Sequence, residues 1–518
     1  MTPGQDVAVA ELPARLSDVV RYWAGQTPGA PALRDSAFSW NYAQFGAAVE
    51  AAAAMLRELD VRPGDRVMVV GENSAALVAF VFAAGALDAW VVIVNARLSA
   101  REIDVIRDHC GARRVIYATA ASADAATHGE RHGAVSFSSA AFGDVAIGPL
   151  NSDCSPEPVA ASNEEQVAAL IYTTGTTGHP KGVMLTHSNL LFIAASSCKL
   201  RALTSDDRVY GVLPISHVFG LAGVMLATFY TGACLYLAPR YSPQGLFDAL
   251  EHDGITMLPG VPAMYARLLD MCHQSGKSPK ASALRFTYAG GSPLDQTLKG
   301  EVEKLFGQTL HNGYGMTETA PTISLTRLDA PRSDTSVGPA IPGIEIRIVD
   351  SMACDVKAGD VGELWVRGPN VMKGYYREPE LTAAVMRDGG WFNTGDLARR
   401  DPDGALFIVG RTKELIIRSG FNVYPVEVEA ALNSHAAVTQ SAVVGRQAAH
   451  GNEEVVAFVE VDPQQNVGAA ELHAYLATLL SPYKCPSEIV IMPSLPAAAT
   501  GKILKGELKK LAQQMLDK

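Results

Sequence analysis

RVMVV at 66–70, AALVAFVFAAGAL at 75–87, WVVIV at 90–94, AREIDVIRDH at 100–109 and RVIY at 114–117 follow one another with short polar breaks. Short β-type apolar runs alternate with stretches of helical length, which predicts a βαβαβ passage and a parallel sheet sandwiched by helices. A second set repeats the rhythm. Strands are predicted at 208–213, 234–237, 255–258, 285–289 and 309–311, and helices near 221–230, 243–252, 261–272 and 294–306. Two similar α/β halves are therefore expected. Between them 119–140 is polar and Ala/Ser-rich and reads as a surface stretch.

From 337 to 409 the pattern changes to strands and turns, with Asp401-Pro-Asp-Gly404 supplying hairpin chemistry. Beyond Arg411 a smaller α+β unit is predicted: helix 425–432, strands 441–445 and 455–461, helix 469–480, strand 488–492 and a Lys-rich helix from Lys502. The expected fold is α/β, a large domain (1–411) of two similar α/β subdomains plus a β-rich subdomain, then a small mobile α+β domain (412–518). A hinge is expected near Lys413.

A chain of 518 residues exceeds one core, and 48% apolar with 19% charged residues is globular composition. The net charge of −11 offers no basic face for a phosphate backbone, so nucleic-acid binding is not expected. Seven cysteines, without Cys-x-x-Cys spacing, indicate neither a disulfide framework nor a zinc site and suit a reducing cytosol. The N-terminus lacks the pattern of a signal peptide. Val218 to Ala238 carries no charge for 21 residues, but Thr231-Gly-Ala233 divides it into an apolar helix and a short strand, so no membrane span is expected.

Tyr-Thr-Thr-Gly-Thr-Thr-Gly-His-Pro-Lys-Gly at 172–182 follows an apolar run and has the chemistry of a phosphate cradle. Gly175, Gly178 and Gly182 free the backbone to aim N–H groups at an anion, Thr173, Thr174, Thr176 and Thr177 add donors, and Lys181 adds a charge. The spacing is not that of a Walker A loop. With the following Val-Met-Leu-Thr-His, the segment resembles the signature loop of the adenylate-forming superfamily, which includes acyl- and aryl-CoA synthetases. Five further blocks appear in the family's order: Gly-Tyr-Gly-Met-Thr-Glu (313–318), Gly-Glu-Leu-Trp-Val-Arg-Gly (362–368), Thr-Gly-Asp-Leu (394–397), Gly-Arg-Thr-Lys-Glu-Leu-Ile-Ile-Arg-Ser-Gly-Phe-Asn-Val-Tyr-Pro (410–425) and Gly-Lys-Ile (501–503).

The resemblance implies ATP, magnesium and coenzyme A as reactants and cofactor. A carboxylate attacks the α-phosphorus, pyrophosphate leaves, and the acyl-adenylate then accepts a thiol, so positioning and charge stabilisation outweigh base catalysis. By resemblance, Thr173, Thr174, Gly175, Thr176, Thr177, Lys181, Gly291, Tyr314, Gly315, Asp396 and Arg411 bind ATP, with Tyr314 beside adenine and Asp396 on the ribose hydroxyls. Thr317 reaches the α-phosphate, Glu318 holds magnesium, and Lys502 is the catalytic lysine of adenylation. His217 stands at the mouth of the acyl pocket, with Val218, Leu221, Gly290, Gly313 and Met316 around the acid. Gly313 and Gly315 are expected to let the backbone approach the nucleotide. Lys413 is the pivot, and Arg418, Ser419, Gly420 and Phe421 line the thiol entrance. Ile417 replaces a lysine found in some aryl-CoA ligases.

No acidic group stands near 217–221 to pair with a substrate ammonium, which argues against an amino-acid-activating domain. The expected activity is that of a soluble, cytoplasmic acyl-CoA ligase acting on a fatty or aromatic acid. The rivals are an adenylating enzyme that delivers to a carrier protein or other acceptor, a non-catalytic nucleotide-binding homologue and a P-loop phosphohydrolase. Oligomeric state is open, a homodimer included.

Overall fold

The computed structural model of the chain describes residues 7–174, 180–418, 421–448, 452–462, 465, 467–497 and 503–516. Among them lie two eight-stranded sheets, a five-stranded sheet, a three-stranded sheet and a two-stranded ribbon.

One eight-stranded sheet runs in the order Gly374–Tyr375, Pro180–Thr186, Val167–Thr174, Trp90–Asn95, Arg66–Gly71, Arg114–Tyr117, Gly143–Ile147, Val135–Ser139. Its four middle strands, from Val167–Thr174 to Arg114–Tyr117, are parallel, and both flanks are antiparallel. The predicted βαβαβ passage is thus the parallel centre. Every residue of Arg66–Gly71 is buried, as a strand covered on both faces requires. In the stretch 119–140 a helix Ala123–Arg131 leads to the edge strand Val135–Ser139, which lies at the surface.

The other sheet orders Thr322–Leu325, Leu310–Gly315, Phe286–Ala289, Met257–Gly260, Arg208–Gly211, Cys234–Leu237, Pro31–Arg34, Ser39–Asn41. Six of these strands, from Leu310–Gly315 to Pro31–Arg34, are parallel. The N-terminal hairpin therefore completes the sheet built from the second half of the large domain, a crossing that no local pattern announces. Asn73 ties the halves together: its Nδ2 donates to the carbonyls of Gly211 (3.1 Å) and Leu213 (3.0 Å), and its Oδ1 accepts from the Ile215 N–H at 2.9 Å.

Phe219–Leu226 is wound as a π-helix, continued by the α-helical turn Ala227–Tyr230 and the strand Cys234–Leu237. No helix among the described residues is long and apolar enough to cross a membrane.

The β-rich region forms the antiparallel sheet of Glu345–Val349, Val361–Arg367, Trp391–Arg400, Met386–Arg387 and Leu406–Arg411. Asp401–Gly404 is the expected turn: the Gly404 N–H donates to the Asp401 carbonyl at 2.9 Å, with Gly404 at φ +87°. Beyond it, Val438–Gln447, Glu453–Val461 and Glu488–Met492 form the small sheet. Alternate residues feed separate cores on its two faces. Val443, Val455, Ala457 and Val459 meet Val428, Leu432, Leu472 and Leu476, whereas Ala442, Val444, Val456 and Phe458 meet Leu508 and Ala512. The last helix is Lys505–Gln514, so its start falls three residues after Lys502.

Candidate active site

The strand Leu310–Gly315 ends in a 3-10 turn, Thr317–Thr319, that buries Thr317 and Glu318. The glycines before the turn are required by the chain itself. A Cβ on Gly315 would stand 1.8 Å from the Pro321 carbonyl oxygen, and one on Gly313 would stand 2.5 Å from the Tyr288 hydroxyl and 2.9 Å from the Ser324 carbonyl. The missing side chains of Gly313 and Gly315 thus admit neighbouring main chain and Tyr288.

Glu318 is held between the two large sheets. Its Oε1 accepts from the Tyr375 hydroxyl at 2.7 Å, and its carbonyl accepts from the Met372 N–H at 2.9 Å. Burial, and then the Glu318 charge, raise the pKa of the Tyr375 hydroxyl, so it stays a donor. The Lys181 ammonium lies 5.1 Å from the centroid of the same ring. Lys181 and Glu318, 137 positions apart by numbering, thus meet on the two sides of Tyr375, a residue that sequence reasoning did not select. The run Gly374-Tyr375-Tyr376 after Lys373 was the available signal.

The cradle is in part a hairpin and not a free loop. Tyr172, Thr173 and Thr174 lie in a strand opposite Gly182, Lys181 and Pro180. Gly182 serves its ladder: the Tyr172 ring covers it, with ring carbon 3.1 Å from where a Cβ would stand, and its carbonyl accepts from the Tyr376 N–H at 2.8 Å. Thr173 and Lys181 are half-buried. Gly175, Thr176 and Thr177 lie outside the described residues, as do Ser419, Gly420 and Lys502.

A second cluster joins Tyr314, Asp396 and Arg411. Asp396 and Arg411 are directly opposite in neighbouring strands. Arg411 Nε stands 3.2 Å from Asp396 Oδ1, and the Tyr314 hydroxyl donates to Asp396 Oδ2. Burial, and then the charge of Asp396, hold the Tyr314 hydroxyl well above its ordinary pKa. Asp396 is 5% exposed, so its carboxylate sits in a setting that strengthens each charge-assisted bond. Gly291, at φ +83°, is exposed at the end of the strand Phe286–Ala289.

On the acyl side the structure separates the predicted residues. His217 is exposed, and its Nδ1 accepts from the Phe219 N–H at 3.3 Å at the entrance to the π-helix. Gly290 and Gly313 are buried and Met316 is half-buried. Val218 and Leu221, expected around the acid, are wholly buried in the main core. The side chains that stand against Gly290 are Phe219 and Tyr288, each 3.3 Å from the position of a Gly290 Cβ.

In the small unit Lys413 lies in an exposed turn where the N–H groups of Glu414 and Leu415 donate to the Arg411 carbonyl. Arg418 is directed inward: its Nη1 donates to the carbonyls of Tyr483 (3.2 Å) and Cys485 (2.6 Å). It therefore supports the fold, whereas Phe421, 55% exposed and stacked on Tyr483 at 4.8 Å between centroids, presents a surface. No group of three or more potential metal-ligating His, Cys, Asp or Glu side chains occurs among the described residues.

A strand-end turn carrying a buried glutamate, a lysine-bearing hairpin and a carboxylate–guanidinium pair are thus brought together from three sheets. The model of the AMP-binding enzyme family matches residues 20–376, and that of its C-terminal domain matches 427–502. The chain is 34% identical to a feruloyl-CoA synthase of Amycolatopsis sp. over 490 residues, covering 94% of this chain and 97% of the relative. It is 33% identical to an indoleacetate–CoA ligase of Aromatoleum aromaticum over 506 residues, covering 96% and 98%. Among solved structures, ATP-bound MatB of Rhodopseudomonas palustris superposes with a TM-score of 0.84 at 28% identity, covering 96% of this chain and 99% of that one. The chain belongs to the AMP-binding enzyme family, in its acyl- and aryl-CoA synthetase branch, and is an AMP-forming acid–thiol ligase.

Proposed function

We propose that this ligase couples a carboxylic acid, aromatic or fatty, to coenzyme A through an acyl-adenylate, with 1–411 holding ATP and acid and 412–518 turning about Lys413 between the half-reactions. The observation that carries the reading is the meeting of Lys181 and Glu318 on Tyr375 beside the Tyr314–Asp396–Arg411 cluster. The named activities of the two curated relatives favour aromatic acids as the first class to test.

In this reading Thr173, Thr174, Gly175, Thr176, Thr177 and Lys181 cradle the phosphates, and Tyr314, Gly315 and Gly291 border the nucleotide. Asp396 and Arg411 exchange part of their mutual pairing for the ribose. Thr317 orients the α-phosphate. A single buried carboxylate fits magnesium held chiefly by phosphate oxygens and water, and Glu318 would be its protein ligand; the ion would supply charge neutralisation on the phosphates. Tyr375 keeps Glu318 oriented. His217 borders the acid with Gly290, Gly313 and Met316, while Phe421 lies on the thiol side.

The test is a screen of carboxylic acids for pyrophosphate release, followed by acyl-CoA formation. AMP as the product supports the reading, and ADP or no nucleotide cleavage with any acid overturns it. Lys502→Ala is expected to suppress adenylation far more than thioester formation from supplied acyl-adenylate. Equal loss in both steps would remove Lys502 from its role.

A further inference from the structure

His109 stands in the last turn of the helix Ala100–Cys110 and is half-buried. Its Nδ1 lies 2.7 Å from the Tyr172 hydroxyl, and its ring meets two others edge to face, Tyr172 at 5.7 Å and Tyr376 at 5.9 Å between centroids. Those two tyrosines flank Gly182. Tyr172 is directly opposite Gly182 in the neighbouring strand, and its hydroxyl lies 3.2 Å from where a Gly182 Cβ would stand. From the other side the Tyr376 N–H donates to the Gly182 carbonyl at 2.8 Å. One imidazole thus touches the residues on both sides of the strand that bears Lys181.

Side chains alternate between the two faces of a sheet, and here the faces separate support from chemistry. Tyr172 and Tyr376 belong to the core that holds Ile103, Ile106 and Cys110 of the His109 helix. Val183 and Tyr375 belong to the main core on the other face, where the Tyr375 ring meets Lys181 and its hydroxyl meets Glu318. His109 therefore lies behind the hairpin, across the sheet from the ammonium. Its surroundings keep the ring neutral: burial, and then the charge of Arg377, lower its pKa against the opposing pull of Glu378, and burial raises that of the Tyr172 hydroxyl. Arg377 is itself held, with Nη1 donating to the His109 carbonyl at 3.1 Å and the guanidinium 4.8 Å from the Tyr376 centroid, and Arg66 lies 5.9 Å from the same centroid. An apolar side chain at 109 could pack on both rings but could not bond the Tyr172 hydroxyl.

We infer that His109 is a positioning residue of the ATP site: by bonding the Tyr172 hydroxyl and packing on Tyr376 it fixes the hairpin from which Lys181 is presented to the phosphates. This rests on the ligase reading above and deepens it. Thr173 and Lys181 face each other one residue along from Tyr172 and Gly182, so a shift of the Tyr172 ring is passed directly to both. Small misplacements of a positioning group are costly to binding and rate. Thioester formation begins after pyrophosphate has left, so it does not call on this brace.

The experiment compares wild type with His109→Leu, His109→Asn, Tyr172→Phe and the double variant His109→Leu/Tyr172→Phe. It reads KM for ATP and kcat by pyrophosphate release, CoA consumption from supplied acyl-adenylate, and melting temperature with and without magnesium–ATP. His109→Leu should raise KM for ATP about 3–10-fold, the range of one neutral hydrogen bond, shrink the melting shift that ATP induces and leave CoA consumption from acyl-adenylate unchanged. His109→Asn, whose amide stands where Nδ1 does, should stay within about twofold of wild type. Tyr172→Phe should match His109→Leu, and the double variant should be no worse than either single, since all three lose the same bond. An unchanged KM for ATP in His109→Leu, equal losses in the Leu and Asn variants, or equal losses in both half-reactions would make His109 a packing residue and overturn the inference. If His109→Leu does not fold, Tyr172→Phe, which keeps the ring, decides in its place. Pyrophosphate release by wild type with none of the acids would overturn the ligase reading, while the ATP-induced melting shift would still decide the role of His109.

Discussion

Tyr375 shows why a side chain outside the signature blocks matters to chemistry. Its hydroxyl reaches Glu318 while its ring faces Lys181, so one residue touches both a carboxylate and an ammonium. Tyr375→Phe keeps the ring and removes the donor. It should lower kcat for adenylation about tenfold and raise the magnesium needed for half-maximal rate, measured by pyrophosphate release, with little change in melting temperature. His187 makes a different prediction. Its ring is buried, Nδ1 accepts from the Leu16 N–H at 3.1 Å, and burial lowers its pKa from 6.5 to about 3. The unfolded chain therefore takes up this proton first as pH falls. The stability from the neutral ring is whole above about 6.5 and declines below it, by about 2 kcal/mol at pH 5. Urea unfolding at pH 7 and pH 5 should show that decline, and His187→Asn should lessen it.

At the next level up, the turn bearing Thr317 and Glu318 depends on strand geometry. The turn Thr317–Thr319 follows a strand whose Gly315 lies against the Pro321 carbonyl of the returning chain. Gly315→Ala should cost about 1–3 kcal/mol in denaturant unfolding by overpacking, and should reduce adenylation further by displacing Thr317 and Glu318. Much at this level could be read along the chain. The apolar runs at 66–70 and 90–94 are strands because β-branched residues buried on both faces suit a parallel sheet. The Asp401–Gly404 turn was legible because local turn chemistry suffices there. The π-helical winding of Phe219–Leu226 was not. A Cβ on Gly220 would stand 2.2 Å from the Pro214 carbonyl, so the winding there is bound up with a close approach between neighbouring turns that composition does not encode.

Across the two proposed domains, the small unit has cores of its own, and Lys505 ties its last helix to the rest of it, 2.7 Å from Glu429 and 3.2 Å from Glu414. That tie holds the start of the last helix next to the Lys413 turn. Lys413→Pro fixes φ at the pivot. It should leave one half-reaction near wild type and depress the other at least about tenfold, since closure and opening draw on different backbone conformations. Measuring pyrophosphate release and CoA consumption separately checks this, and equal rates would place the pivot elsewhere.

Periodicity was sufficient to indicate the α/β class, and the ordered glycine, threonine and lysine blocks indicated adenylating chemistry through their resemblance to the adenylate-forming superfamily. The α/β class depends on neighbours within a few positions, where backbone preference and hydrogen-bonding capacity are local properties. Packing between distant segments assigned the N-terminal hairpin to the far sheet, brought Tyr375 to both Lys181 and Glu318 and withdrew Val218 and Leu221 into the core. Burial and partner identity are properties of surfaces brought together from different strands, and no short window of sequence contains both surfaces.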